Sequence, residues 1–445
     1  MNSKLRSVTI DTIWEYLLNI DADSVLANCD FEQVKDGEYG RFKIQESPFE
    51  VTVLFWPPRT QSAIHKHDGF HGAVKVISGT VLNREYHFEE STLSETAVSE
   101  YRAGGIVEEP DGVIHLLENP LDVPSISIHA YFPAISSFEG MQLYHVDKRS
   151  IGTLSASATS ASWKNEPGHF ESVQTEAFSY LPLSTSVDGS HYFHPIIPKP
   201  DQSLIVDGLR DYYNNQAEQY DNNDRSIKWR NEYTQGLNTI IASELKKKNA
   251  ASMLAMCCGT GRRPANIKEL SGLNLDLYGL DVSEKMCEEA RNKGLQVHCS
   301  DILDLDIEKM GTFDAITYLY AFGHLSSRND RISVLSSVKK MLNEGGTFYA
   351  DLFCLNNIHE WGGAIQSLHS SLRLPSQGYE SGDIFYRRKN GAATAYLHYF
   401  TRDEVYDLFE SAGFTNVQIQ KVGYTIDSGK LHSSPNEGMY FVKAS

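Results

Sequence analysis

The chain has no unbroken apolar run long enough to cross a bilayer, and its N-terminus, MNSKLRSVTIDTIWEYLLNI, has no clear signal-peptide cleavage site. No membrane association and a cytoplasmic location are therefore expected. Cysteine is sparse. The six residues Cys29, Cys257, Cys258, Cys287, Cys299 and Cys354 have no paired metal-ligand spacing, which excludes a disulfide framework. Adjacent Cys257 and Cys258 read as small buried hydrophobes at a strand end. Basic residues are outnumbered, with 40 Lys and Arg against 58 Asp and Glu. The formal net charge of -18 repels phosphate backbones, so nucleic acid is excluded as an expected partner. No internal repeat occurs. What remains is ordinary globular composition, 41% hydrophobic and 22% charged, in 445 residues. That length exceeds what one hydrophobic core organises and implies two domains.

From Val51 to Pro133 the chain reads as short β-rich runs between turn residues: VTVLFW, GAVKVISG, TVLNREYHF, GGIVEE and SISIHAYF. This pattern predicts an all-β sandwich or barrel. Ahead of it, Ile13, Tyr16, Leu17 and Ile20 have helical spacing and predict a short helix packed on the barrel. After about Ser150 the sequence turns rich in Ser, Thr, Ala and Gly, as a linker or surface excursion would. From Leu204 onward, the strand candidates SMLAM, LDLYGL, LQVHCS, FDAITYLY and GTFYADLF alternate with helical patterns. Alternation of that kind predicts βα units and a parallel sheet with helices on both faces.

Two residues apart in SAIHKHDGFH, His65 and His67 project from one face of a strand. A third imidazole, His115, comes from DGVIHLLEN, and three neutral imidazoles on a rigid barrel suit a divalent first-row metal with open positions. A His-x-His pair alone is equally served by two ordinary strand residues, so the surrounding pattern decides. That block, from about Tyr39 to Pro133, resembles the cysteine dioxygenase family of cupins. The resemblance implies iron(II) held by His65, His67 and His115, with a small thiol and dioxygen as substrates and a sulfinic acid as product. It further implies that Ser127, His129 and Tyr131 of SISIHAYFP form a hydrogen-bonded relay at the iron. Without the resemblance, those three are an alternating strand with one face buried. YGRF resembles the family's Tyr-x-Arg segment, implying that Tyr39 and Arg41 bind substrate, with the guanidinium clamping a carboxylate. Some relatives carry a cysteine after the histidine corresponding to His71, cross-linked to the active-site tyrosine. Here Gly72 takes that place, so Tyr131 is expected to be unmodified.

In SMLAMCCGTGRRPANI an apolar strand leads into a glycine turn and a helix start. Gly259 and Gly261 let the backbone pass close to a ligand. LDLYGLDVSEKM ends a second strand at Asp281, where an acid can accept from both ribose hydroxyls of a nucleoside ligand. Asp301 occupies the next strand end. From about Tyr212 to Gly346 this series resembles the class I S-adenosylmethionine (SAM)-dependent methyltransferases. The resemblance implies SAM as cofactor, with the glycine loop at its methionine part, Asp281 at ribose and Asp301 at the adenine amino group. It puts Tyr212 and Tyr220 on a helix covering the cofactor and FDAITYLYAFGHL near the methyl acceptor, with His324 read either as lying there or as a surface histidine. Ala255 replaces the acid that usually ends the first strand, and Cys257 replaces the first glycine.

The sequence thus predicts a multidomain chain: an N-terminal all-β cupin barrel over 1–150, a Ser/Thr-rich linker or excursion over 151–203, and a C-terminal α/β Rossmann-like methyltransferase sheet over 204–445. The function expected is bifunctional, thiol oxidation joined to methyl transfer onto the same or a related small metabolite. The competing expectations are a methyltransferase with a ligand-sensing cupin, a cupin with other metal chemistry, and a methyltransferase domain that only supports the cupin. The oligomeric state is left open.

Overall fold

The computed structural model describes residues 8–34, 38–183, 186–363, 374–388, 394–424, 426–427, 430–431 and 437–445. Residues 1–7 and 184–185, part of the N-terminal and linker stretches discussed above, lie outside them. Two compact units divide the chain: one holds the described residues of 1–184, 192–199 and 372–379, the other those of 185–191, 200–371 and 380–445. No helix among the described residues is long and apolar enough to cross a membrane.

The first unit opens with α1 (Ile10–Asn19), whose N-cap Thr9 accepts from the Thr12 backbone N–H at 3.3 Å. It buries Ile13, Trp14 and Leu17 among Phe49, Val51, Val53 and Ile128, each such side chain contributing about 1.5–3 kcal/mol of transfer free energy. A short α2 (Ala22–Leu26) follows. The strands are β1 (Gly40–Gln45), β2 (Glu50–Trp56), β3 (Ile64–Lys66), β4 (His71–Ser78), β5 (Thr80–Glu89), β6 (Thr92–Arg102), β7 (Ile106–Glu109), β8 (Ile114–Glu118), β9 (Ser125–Phe132), β10 (Gln142–His145), β11 (Ser150–Leu154), β12 (Phe170–Gln174), β13 (Ser179–Leu181), β14 (His191–Phe193), which straddles the division between the units and belongs to neither of the first unit's two sheets, and β15 (Ile196–Ile197). One sheet runs β1-β2-β9-β4-β7; the other runs β12-β11-β10-β3-β8-β5-β6-β13, with β15 also on β6. Every β run expected between Val51 and Pro133 is a strand. The stretch 151–203 carries β12 to β15 and most of β11, so much of it extends the second sheet.

Period-two alternation explains the placement of β9. Ile128 and Ala130 enter the core beneath α1. The intervening Ser127, His129 and Tyr131 turn to the opposite face, as successive strand residues must.

The second unit begins with α3 (Gln202–Ser226) and α4 (Lys228–Lys248). It continues through β16 (Ser252–Met256), α5 (Arg262–Ser271), β17 (Asp276–Asp281), α6 (Glu284–Asn292), β18 (Gln296–Cys299), β19 (Phe313–Tyr318) and β20 (Leu342–Phe353). Sheet order is β18-β17-β16-β19-β20, followed by the strands Met439–Ala444 and Val417–Val422. The first five are parallel, and Met439–Ala444 runs antiparallel between β20 and Val417–Val422. Strand order reverses between β16 and β19. In open α/β sheets a ligand crevice forms at that switch, outside the strand carboxyl ends.

Candidate active sites

β3 and β8 are antiparallel neighbours with His65 opposite His115, and His67 follows directly after β3. The His67 Nε2 atom lies 3.1 Å from His65 Nε2 and 3.1 Å from His115 Nε2. Behind them, His65 Nδ1 meets the Ala63 carbonyl at 2.9 Å and His115 Nδ1 meets Asn83 Oδ1 at 2.9 Å. Donation to those oxygens puts the proton on Nδ1 and leaves both Nε2 lone pairs facing the cluster. Right-angled ligand bonds of about 2.1 Å would space donor nitrogens about 3 Å apart, so the triad fits one divalent metal. Burial lowers the basicity of all three rings, and the crowding of histidines adds to it for His67 and His115. Neutral imidazole is the ligating form.

Beside the triad, Ser127 Oγ lies 2.8 Å from His129 Nε2, and His129 Nδ1 lies 2.8 Å from Tyr131 Oη. Trp56 Nε1–H donates to Ser127 Oγ at 2.9 Å and anchors the far end. Burial first, then Arg41 and His65, holds the His129 pKa at about 3, so its ring is neutral and carries one proton. The relay accordingly has two senses, with that proton on the serine side or on the tyrosine side. Burial first, with Glu109 adding, drives the Tyr131 hydroxyl well above its ordinary range, so it remains a donor.

The triad, His129 and Tyr131 line one cavity of about 320 Å³, together with Tyr39, Arg41, Trp56 and Phe70. Tyr39 packs its ring on Trp56 at 4.9 Å between centroids. Arg41 Nη2 donates to the buried Glu50 Oε1 at 2.5 Å, and its guanidinium lies over the Phe138 ring. A substrate carboxylate at Arg41 would therefore share the guanidinium with Glu50.

In the second unit, a cavity of about 110 Å³ lies at the carboxyl ends of β16, β17 and β19, where the strand order reverses. Asp281 closes β17 with one carboxylate oxygen accepting from Gly259 N–H at 2.8 Å and the other from Ser283 N–H at 3.0 Å. Gly259 (φ 54°) and Gly261 (φ 76°) both have left-handed backbones, and a Cβ at Gly261 would stand 2.9 Å from Ala290 Cα. Cys257, where a glycine was expected, keeps glycine-like geometry at φ 49°. Gly259, Asp281, Asp301, Tyr220 and His324 all line the cavity. Tyr212 does not: it packs on the Arg388 guanidinium at 4.6 Å, and its neighbour Tyr213 faces the cavity. Consecutive helix residues point about 100° apart, so only one of the two can face inward. Gly261 serves the turn at the start of α5 and is not part of the lining.

Residues 26–142 match the family described as cysteine dioxygenase type I, and residues 253–346 match a methyltransferase domain. The chain thus joins a region that matches cysteine dioxygenase type I to one that matches a methyltransferase domain. Demethylmenaquinone methyltransferase of Lactococcus lactis is 28% identical over 194 residues, covering 39% of this chain and 69% of that one. The enzyme of the same name from Anoxybacillus flavithermus is 26% identical over 220 residues, covering 47% and 84%. An SAM-dependent methyltransferase structure from Clostridium acetobutylicum aligns at TM-score 0.36 and 19% identity, over 52% of this chain and 98% of that chain.

Three features of the dioxygenase-type domain were missed in the sequence. Trp56 reads in VTVLFW as one more strand hydrophobe, yet its indole N–H anchors the relay. Thr159, Ser160, Ser162, Lys164 and Asn165 line the cavity, although they lie in the stretch expected to be a linker or surface excursion. Glu109 is the third. It lines the cavity fully buried, 3.6 Å from His115 Nε2 and 3.9 Å from His67 Nε2. Burial raises its pKa to about 8, with the nearby Tyr131 hydroxyl drawing it partly back. For Glu109 a signal existed: it sits six residues before His115 in GGIVEEPDGVIH.

Proposed function

We propose that the dioxygenase-type domain oxidises a small thiol to a sulfinate, and that the methyltransferase domain moves a methyl group from SAM to the same or a related small metabolite. The observation that carries the first half is the shared cavity, in which three Nε2 atoms at 3.1 Å spacing stand beside the Ser127–His129–Tyr131 chain. His65, His67 and His115 would hold iron(II), which when bound supplies the redox chemistry between dioxygen and sulfur. The overall change balances without an external reductant: RS⁻ plus O2 gives RSO2⁻, with sulfur losing four electrons and the two oxygens gaining them. Tyr131 holds its proton at Oη, where it donates to developing negative charge. His129 fixes the direction of that hydroxyl, and Ser127 with Trp56 fixes His129. Arg41 orients a carboxylate end of the thiol. Phe70 and Trp56 help exclude water.

In the methyltransferase domain, Asp281 offers oxygens toward a ribose, while Gly259 and Cys257 let the backbone approach the methionine part of SAM. Methyl transfer breaks the sulfonium–CH3 bond, returns its electron pair to sulfur and forms one new bond to the acceptor; an N–H or O–H acceptor then loses its proton, and an anionic sulfinate has none to lose. A thioether cannot ligate as a thiolate, so oxidation precedes any methylation at sulfur.

Supplying the iron-loaded full chain with candidate thiols, dioxygen and methyl-labelled SAM, followed by mass spectrometry, tests both halves. Thiol-dependent oxygen uptake with a product heavier by two oxygen atoms supports the reading. An S-methyl thioether as the only product would defeat it.

A further inference from the structure

Four strands of the five-stranded sheet set one row of residues side by side. Glu50 of β2 is opposite Tyr131 of β9, Tyr131 is opposite Gly72 of β4, and Gly72 is opposite Glu109 of β7. Directly opposed residues in antiparallel strands share a face, so all four belong to the side that carries the cavity. Gly72 has no side chain, and the Tyr131 ring fills its place in the row, 2.3 Å from where a Cβ would stand.

Glu109 is 1% exposed, and neither of its carboxylate oxygens meets a hydrogen-bond partner of good geometry. Tyr131 Oη lies instead 2.8 Å from His129 Nδ1. Among the described residues, the ion-pair contacts of Glu109 are those to His67 and His115, at 3.9 Å and 3.6 Å through their Nε2 atoms. Those are the atoms aimed at the triad's centre. The Tyr131 hydroxyl is close enough to lower the Glu109 pKa, but among the described residues no permanent cation pairs with this buried acid, and buried carboxylates are found paired with a cation or coordinating a metal.

We infer that Glu109 is a fourth ligand of the metal held by His65, His67 and His115, an anionic oxygen brought in from β7 opposite the side-chain-free Gly72. The inference rests on the three-histidine metal site proposed above. It adds a consequence for substrate: with one more position taken by the protein, a thiol sharing the metal with dioxygen would engage it through sulfur and not also through its amine.

The test uses the full chain stripped of metal and titrated anaerobically with cobalt(II) alone, without thiol or SAM. Wild type should bind one equivalent, and His115→Ala should lose it. Glu109→Gln, close in shape, should bind at least about tenfold more weakly and shift the visible cobalt bands, because a charged ligand has been lost. Its metal-free form should melt no lower than metal-free wild type, since the substitution removes a buried acid that no permanent cation offsets, whereas a merely structural glutamate would melt lower. Glu109→Asp, which keeps the charge but shortens the reach, should fall between wild type and Glu109→Gln. Unchanged affinity and cobalt spectrum in Glu109→Gln would overturn the fourth ligand and leave the three-histidine site standing. Absence of cobalt binding by wild type would overturn both.

Discussion

Gly72 lies opposite Tyr131 in the antiparallel pair of β4 and β9, and a Cβ built on it would stand 2.3 Å from the Tyr131 ring and 2.4 Å from the Ala130 carbonyl oxygen. The position that bears a tyrosine-linked cysteine in some relatives is thus in contact with Tyr131 here, but closed to any side chain. Gly72→Ala should destabilise the domain by about 1–3 kcal/mol, the usual cost of overpacking. Chemical denaturation that shows no shift in midpoint would contradict this.

The relay should be graded in effect. Tyr131→Phe removes the hydroxyl at the cavity and should lower thiol-dependent oxygen uptake by about 10²-fold or more while metal binding persists. Ser127→Ala leaves Trp56 Nε1–H and His129 Nε2 without their partner, so a loss of about 1–3 kcal/mol in stability should accompany a smaller loss of rate. Oxygen-electrode rates and melting curves on the same preparations separate the two effects.

Metal should stabilise the fold of the dioxygenase-type domain. At iron(II) one hundred times its dissociation constant, binding to the folded state adds about 2.7 kcal/mol. The melting transition should therefore fall on chelation in wild type, whereas His65→Ala should melt at one temperature with or without iron(II).

Asp281→Ala removes the acceptor of two backbone N–H groups and the acid facing the expected ribose. Calorimetric titration with SAM should show weakening by about tenfold or more, in line with a charged hydrogen bond worth about 1.5–3 kcal/mol. His65→Ala should leave that titration unchanged.

Acid stability should depend on Glu100. Burial alone would raise this carboxyl, but hydrogen bonds from His194 and Arg102, at 3.0 Å and 2.9 Å, hold it at about 2. A folded pKa below the unfolded value means that the stabilisation is complete above about pH 4.5, the unfolded carboxylate range, and is lost as pH falls through about 2. Glu100→Gln should flatten the dependence of unfolding free energy on pH in that window, and a slope equal to wild type would count against it.

Much of this was legible in the sequence because the decisive features are local. Alternation in SISIHAYF put Ser127, His129 and Tyr131 on one face, and His-x-His needs only a strand and its end to converge. The glycine turn followed by Asp281 is legible for the same reason, since βα units bring successive strand ends together. What escaped depended on distant pairing. Glu109 joins the triad only through the register of β7 with β4, and Trp56 reaches Ser127 across 71 residues of chain. Tyr212 and Tyr213 were separable only by knowing which side of α3 faces inward. Residues 159–165 carry no periodic apolar signal, so nothing local announced that they wall a cavity.

That wall separates two properties that a barrel usually ties together. Thr159, Ser160 and Asn165 meet the cavity from outside any strand, so exchanging them alters the shape and polarity met by an incoming molecule without disturbing the ladders that aim the histidines. Selectivity in this chain is thereby free to drift faster than its chemistry.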